Sequence, residues 1–172
     1  MGRTLVLAVV AAMSFSVAGW AQDRPATEIY VGFPILFGEN SSQLFGVHGN
    51  VTFPVRHWFG IGGDAAFHVG EVYAEKSLIT ALGGPVFSVH AGSRMRIFGQ
   101  ALLGVGNSGC GEFQNGCQSA TVFSSAIGGG VYLRAGRRSG FRVSGDDLAT
   151  NFGGNPQHYL RLSFGIAFGI GE

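Results

Sequence analysis

Seven charged residues recur inside stretches that are otherwise apolar and rich in glycine: Glu28, Asp64, Arg96, Arg134, Arg142, Asp146 and Arg161. Three carboxylates against four guanidiniums suit mutual ion pairing in a confined space, because an unpaired buried charge is costly. The second chemistry open to the chain is acyl transfer, which needs a serine and a histidine held together. His68 and the many serines offer the residue types, but five histidines in the chain make such coincidences common. No Gly-x-Ser-x-Gly elbow occurs, and Gly128-Gly129-Gly130 is not followed by a helical pattern, so it is no phosphate cradle. It reads as a close backbone approach or a bend.

The elements that carry these residues have a period of two. From His158 to Ile170, Leu160, Leu162, Phe164, Ile166, Phe168 and Ile170 fall on one face, with Arg161, Ser163, Gly165, Ala167 and Gly169 on the other. Upstream, Ile29, Val31, Phe33, Ile35 and Phe37 oppose Glu28, Tyr30 and Gly32. Phe45, Val47, Val51 and Phe53 oppose Gly46, His48, Asn50 and Thr52, and Phe59, Ile61, Ala65 and Phe67 oppose Gly60, Gly62, Asp64 and His68. A sixth strand sets Phe123, Ile127, Val131 and Leu133 against Ser124, Gly128, Gly130, Tyr132 and Arg134; a seventh sets Phe141 and Val143 against Arg142, Ser144 and Asp146. The fourth and fifth, about 77–88 and 95–105, alternate less cleanly and are placed by turn signals and length. Pro34 and Pro85 lack the donor a ladder needs, so each is expected to mark a bulge or a strand end.

The connections are of two kinds. Tight basic turns are expected at 54–57, 90–94 and 135–139, and more polar, mostly longer links at 38–43, 70–76, 106–119 and 150–157. Eight antiparallel strands follow, closed as an up-and-down barrel with one face of every strand in lipid and the other in the lumen. Ten residues rising about 3.3 Å each at a tilt near 40° cross an apolar band of about 25 Å. A secreted lipocalin-like barrel is the soluble alternative, but it would put its apolar residues inside and its polar ones outside. An eight-stranded wall is just wide enough for side chains to fill, so the charged set is expected to form a polar core.

Thirty glycines and fifteen phenylalanines lean the composition towards all-β structure. A formal charge of +1 and a single lysine, Lys76, give no support for a nucleic-acid partner. Residues 1–21 read as a cleaved signal peptide, with Arg3 as the basic start, Leu5 to Met13 as the apolar stretch and Gly19-Trp20-Ala21 before the cut. Residues 22–172 then form the barrel domain. In an exported chain Cys110 and Cys117, with a polar glycine-rich spacer, read as a local disulfide, and with no nearby histidine they make no metal site.

From the fourth strand onward the chain resembles the outer-membrane protein β-barrel family, the OmpA-like and OmpX-like small barrels of Gram-negative bacteria. The resemblance rests on Gly84-Pro85-Val86-Phe87-Ser88, Phe98-Gly99-Gln100-Ala101-Leu102-Leu103-Gly104, Gly128-Gly129-Gly130-Val131-Tyr132-Leu133-Arg134, Arg142 with Asp146-Asp147 and Thr150, and Leu160-Arg161-Leu162-Ser163-Phe164-Gly165. Their order and spacing fit over about half the chain. Two departures stand out: Asp147-Leu148 replaces the aromatic that usually follows the strand-seven aspartate, and the last aromatic, Phe168, is not terminal. The resemblance implies a non-enzymatic, structural or surface-interaction barrel in the outer membrane, without cofactor. Its partners are then membrane lipid and the barrel-insertion machinery, with an unknown extracellular partner. A narrow, porin-like channel for small solutes and a lipid-modifying enzyme are the alternatives.

Overall fold

The computed structural model describes residues 26–38, 43–71, 75–110, 120–152 and 155–170. The segment 1–21 and its processing site lie outside the described residues. Eight strands follow one another: β1 (Thr27–Gly38), β2 (Gln43–Arg56), β3 (Phe59–Glu71), β4 (Glu75–His90), β5 (Met95–Cys110), β6 (Ala120–Arg134), β7 (Ser139–Phe152) and β8 (Asn155–Ile170). Each pairs antiparallel with its neighbour in sequence, and β1 pairs with β8, so the sheet closes into a barrel.

Closure requires a stagger. Glu28 faces Thr52, Thr52 faces Gly62 and Gly62 faces Gly84; in the same register Leu102, Ala126, Leu148 and Tyr159 follow, and Tyr159 pairs with Gly38. The path around the wall thus returns to β1 ten residues beyond its start. With strands about 4.8 Å apart and a rise of about 3.3 Å per residue, that stagger tilts the strands by about 40°.

The faces separate as the period of two requires. Val31, Phe33, Phe45, Val47, Ile61, Phe67, Ile127, Phe141, Val143 and Phe164 are exposed outward, whereas Glu28, His48, Asp64, Arg142, Asp146 and Arg161 are buried inside. The arrangement is the inverse of a lipocalin-like barrel, and that reading is discarded. Aromatic rings gather near the β2–β3 turn, where Trp58 stacks on Phe87 with centroids 6.0 Å apart. Amphipathic rings of this kind favour a membrane–water boundary.

Three features differ from the sequence reading. β4 and β5 are longer than expected and apolar on both faces, because Leu78, Leu82, Val86, Phe98 and Leu102 turn inward while Ile79, Phe87, Ile97, Leu103 and Val105 turn outward. Most of the expected link 150–157 is strand: Thr150 pairs with Gln157 and Asn151 with Pro156, since polar strand ends can continue a ladder beyond the apolar band. Pro34 and Pro85 mark neither bulge nor end. Pro34 keeps step opposite Ser163 and Pro85 opposite Ile61, and the register on their other sides resumes unshifted. Among the described residues the register shifts only between Pro54 and Arg56, beside the β2–β3 turn.

Glycine is required at two kinds of position. Gly92, in the turn closed by the Ala91 amide donating to the Met95 carbonyl at 2.9 Å, has φ of 86°, a conformation that disfavours a Cβ. Gly128 and Gly130 face the lumen where β6 meets β7; a Cβ on Gly128 would strike Asp146, and one on Gly130 would come within 2.9 Å of the Phe98 ring. Gly128 and Gly130 therefore give up side chains to make room for Asp146 and Phe98 beside them.

Candidate functional site

The interior is divided along the barrel axis. Toward the ends joined by 39–42, 72–74, 111–119 and 153–154, Leu36, Leu44, Leu78, Leu82, Leu102, Ala126 and Leu148 form an apolar cluster, with Tyr159 packed against it. The remaining interior, toward the turns at 57–58, 91–94 and 135–138, carries the buried charges, with Tyr30, Val86 and Phe98 set among them.

Two linked groups make up this polar interior. In the first, Arg161 lies fully buried between two carboxylates, its Nε donating to Asp146 Oδ1 at 2.8 Å and its Nη1 to Asp64 Oδ1 at 3.0 Å. Asp146 is the cross-strand neighbour of Arg161 in the β7–β8 ladder, whereas Asp64 reaches it across the lumen from β3. His48 joins them, with Nε2 2.5 Å from Asp64 Oδ2 and Nδ1 3.1 Å from Ser163 Oγ. The Tyr30 ring meets His48 edge-on at 5.2 Å.

In the second group Glu28 is shared by two arginines. Arg96 Nη2 donates to Glu28 Oε2, and Arg142 Nη1 lies 3.5 Å from Glu28 Oε1. Arg142 also donates to Asn50 Oδ1 at 3.0 Å and Gln100 Oε1 at 3.3 Å. Its guanidinium lies 4.1 Å from the centroid of Phe98 and 4.8 Å from that of Tyr30, while Arg96 lies 5.1 Å from the centroid of Tyr132. Aromatic faces and amide oxygens here take over what water would do for the charge.

Six of the seven charged residues singled out from sequence therefore stand in these two groups. Arg134 does not: it is the last residue of β6, where the chain leaves the wall, and it is exposed at the rim. His48, Ser163, Asn50, Gln100 and Tyr30 complete the network without carrying a fixed charge. Parity puts His48, Asn50 and Tyr30 on the face of Glu28 and Asp64, but nothing in the sequence marks them as partners of the charges. Cys110 ends β5, but Cys117 and the pairing expected of it lie outside the described residues.

Ser163, His48 and Asp64 follow the order of a nucleophile, base and orienting acid. All three are buried, Arg161 occupies the second side of Asp64, and none of them lines the cavity that opens to solvent. Ser163 is 1% exposed, so its hydroxyl packs inside the wall. His68 is likewise buried, with Nδ1 3.3 Å from the Leu78 carbonyl oxygen, and does not face the outer surface. On the outside of the barrel His158 Nδ1 lies 2.9 Å from Asp147 Oδ2, both exposed. Asp147 holds the position at which small barrels of the resembled kind usually carry an aromatic, and with His158 it sets a polar pair on the outer face of β7 and β8.

No protein-family model matches the chain, and no curated protein matches it. Solved structures do. Neisserial surface protein A is similar over 84% of this chain and 96% of its own, with a TM-score of 0.67 at 8% identity. The outer membrane enzyme PagL aligns over 83% of this chain and 99% of its own (TM-score 0.60, 15% identity), and the attachment invasion locus protein Ail of Yersinia pestis over 84% and 99% (TM-score 0.55, 16% identity). At such identities the likeness is one of fold. The chain is a small eight-stranded, all-antiparallel transmembrane β-barrel, up-and-down in topology.

Proposed function

We propose that the chain is an integral protein of a bacterial outer membrane, delivered after removal of residues 1–21, with a structural or surface-interaction role and no enzymatic activity. The observation that carries this reading is the inversion of its faces: a continuous apolar outer surface around a closed wall, enclosing ion-paired side chains. Lipid is the partner that such a surface fits, since every backbone group of a closed barrel is satisfied within the wall. Insertion would be directed by the β8 segment ending near Phe168, and links such as 111–119 would meet whatever lies outside the cell. A disulfide between Cys110 and Cys117 would stiffen that link.

The interior argues against conduction. The leucine cluster fills one end, and Arg161, Arg142, Tyr30 and His48 fill the middle.

Membranes from expressing cells, fractionated and run on a gel with and without boiling, test the proposal. An outer-membrane band that changes mobility on boiling is expected, and it should persist when both cysteines are replaced by serine. Soluble periplasmic protein with no change of mobility would overturn the location. Planar bilayers holding the purified barrel should show no unitary conductance, and a fluorophosphonate probe should leave Ser163 unlabelled; steady channel openings or labelling would sink the corresponding part of the reading.

A further inference from the structure

Charge is placed unevenly along the barrel axis. The chain has 11 lysines and arginines against 10 acidic residues. Yet Arg56, Arg96, Arg134, Arg137, Arg138 and Arg142 all line one cavity of about 550 Å³ that opens at the end bearing the tight turns. Among the described lining residues Glu28 is the only carboxylate, and Arg96 and Arg142 already engage it. Among the described residues two other acids, Glu71 and Glu75, pair across the β3–β4 ladder at the opposite end.

The floor of the cavity is built rather than incidental. Arg142 is 2% exposed, with Nη1 and Nη2 held by Glu28, Asn50 and Gln100 and the Phe98 and Tyr30 rings in contact with its guanidinium. Its Nε, like that of Arg96, is buried with no hydrogen-bond partner among the described residues. Arg56, Arg134 and Arg137 are exposed around the opening, beside His57 and His90. Like charges converging in a recess with low-dielectric walls focus a positive potential, and their mutual repulsion falls when an anion enters. Guanidinium forks match the oxygens of phosphate in geometry as well as charge. The volume lies in the range of small-ligand pockets, roughly 300–1,000 Å³.

We propose that this turn-side mouth is a binding site for a small, multiply charged phosphate group. Two sources can present that chemistry: a soluble phosphoanion entering the lumen, or the headgroup of an anionic lipid at the rim. The depth of Arg142 favours the soluble one.

The test is calorimetric titration of the purified barrel with inorganic pyrophosphate, in nanodiscs of phosphatidylcholine at low ionic strength, on protein that changes mobility on boiling. One binding event is expected, weakening as salt is raised. The combined Arg134→Ser and Arg137→Ser variant alters only exposed side chains, so it should keep the mobility change and bind about tenfold more weakly. Lys76→Ser, at the opposite end, should bind as the unaltered chain does. In discs that also contain phosphatidylglycerol, unchanged affinity assigns the site to a soluble phosphoanion, and competition assigns it to the headgroup. Absence of pyrophosphate binding by the folded, unaltered barrel, or full binding by the double variant, overturns the proposal. Because folding is read separately on the gel, neither result can be mistaken for failure of the membrane assignment.

Discussion

The two halves of the lumen are filled by opposite means. Near one end Leu36, Leu44, Leu78, Leu82, Leu102, Ala126 and Leu148 meet without direction, as in the core of a soluble protein. Toward the turns, Arg161 and Arg142 occupy similar space but are fixed by named donors and acceptors. The two halves should fail differently. Dispersion contacts degrade with lost volume, whereas a paired charge, once its partner is gone, becomes a liability.

Urea unfolding in detergent micelles, followed through Trp58, can measure the contrast. The largest loss is expected from Arg161→Met, which strands Asp64 and Asp146 together in the lumen: about 3–5 kcal/mol. Leu102→Ala should cost about 3 kcal/mol by opening a cavity in the apolar half. Adding Asp64→Asn and Asp146→Asn to Arg161→Met should restore about 1–3 kcal/mol, because the carboxylates no longer need a counter-charge. If the triple variant is no more stable than the single one, the charged half is held by shape after all. Smallest of all, Leu102→Met should cost less than about 1.5 kcal/mol; a larger loss would mean the leucine cluster is as exacting as the ion pairs.

How far the sequence could be read depended on which half a strand lines. β1, β2, β3, β6, β7 and β8 show their faces plainly, because small or polar residues such as Gly32, Asp64, Gly128 and Arg161 interrupt the apolar ones at every second place. β4 and β5 bring Leu78, Leu82, Phe98 and Leu102 to the lumen, so an apolar inner face erases the alternation there. Parity placed Glu28, Asp64, Asp146, Arg142 and Arg161 on the inner face, but it could not say who meets whom. Asp146 and Arg161 are ladder neighbours on β7 and β8; Asp64 reaches Arg161 from β3, a contact that exists only once the wall is closed and staggered. Arg134 has the right parity and the wrong height. His48 carries no fixed charge, so its parity alone does not mark it as the ring that joins Asp64 to Ser163.

The ten-residue return of the wall to β1 governs how such a chain can change length. Since side chains alternate, the circuit can close with lipid-facing residues outside only when the offset is even. Deleting one residue within a strand would turn everything beyond it, setting phenylalanines in the lumen and arginines in lipid. Removing or adding two keeps the faces and changes only tilt and girth. Insertions within the wall are therefore expected to accumulate in pairs, while the connecting segments, which carry no parity, are free to grow one residue at a time.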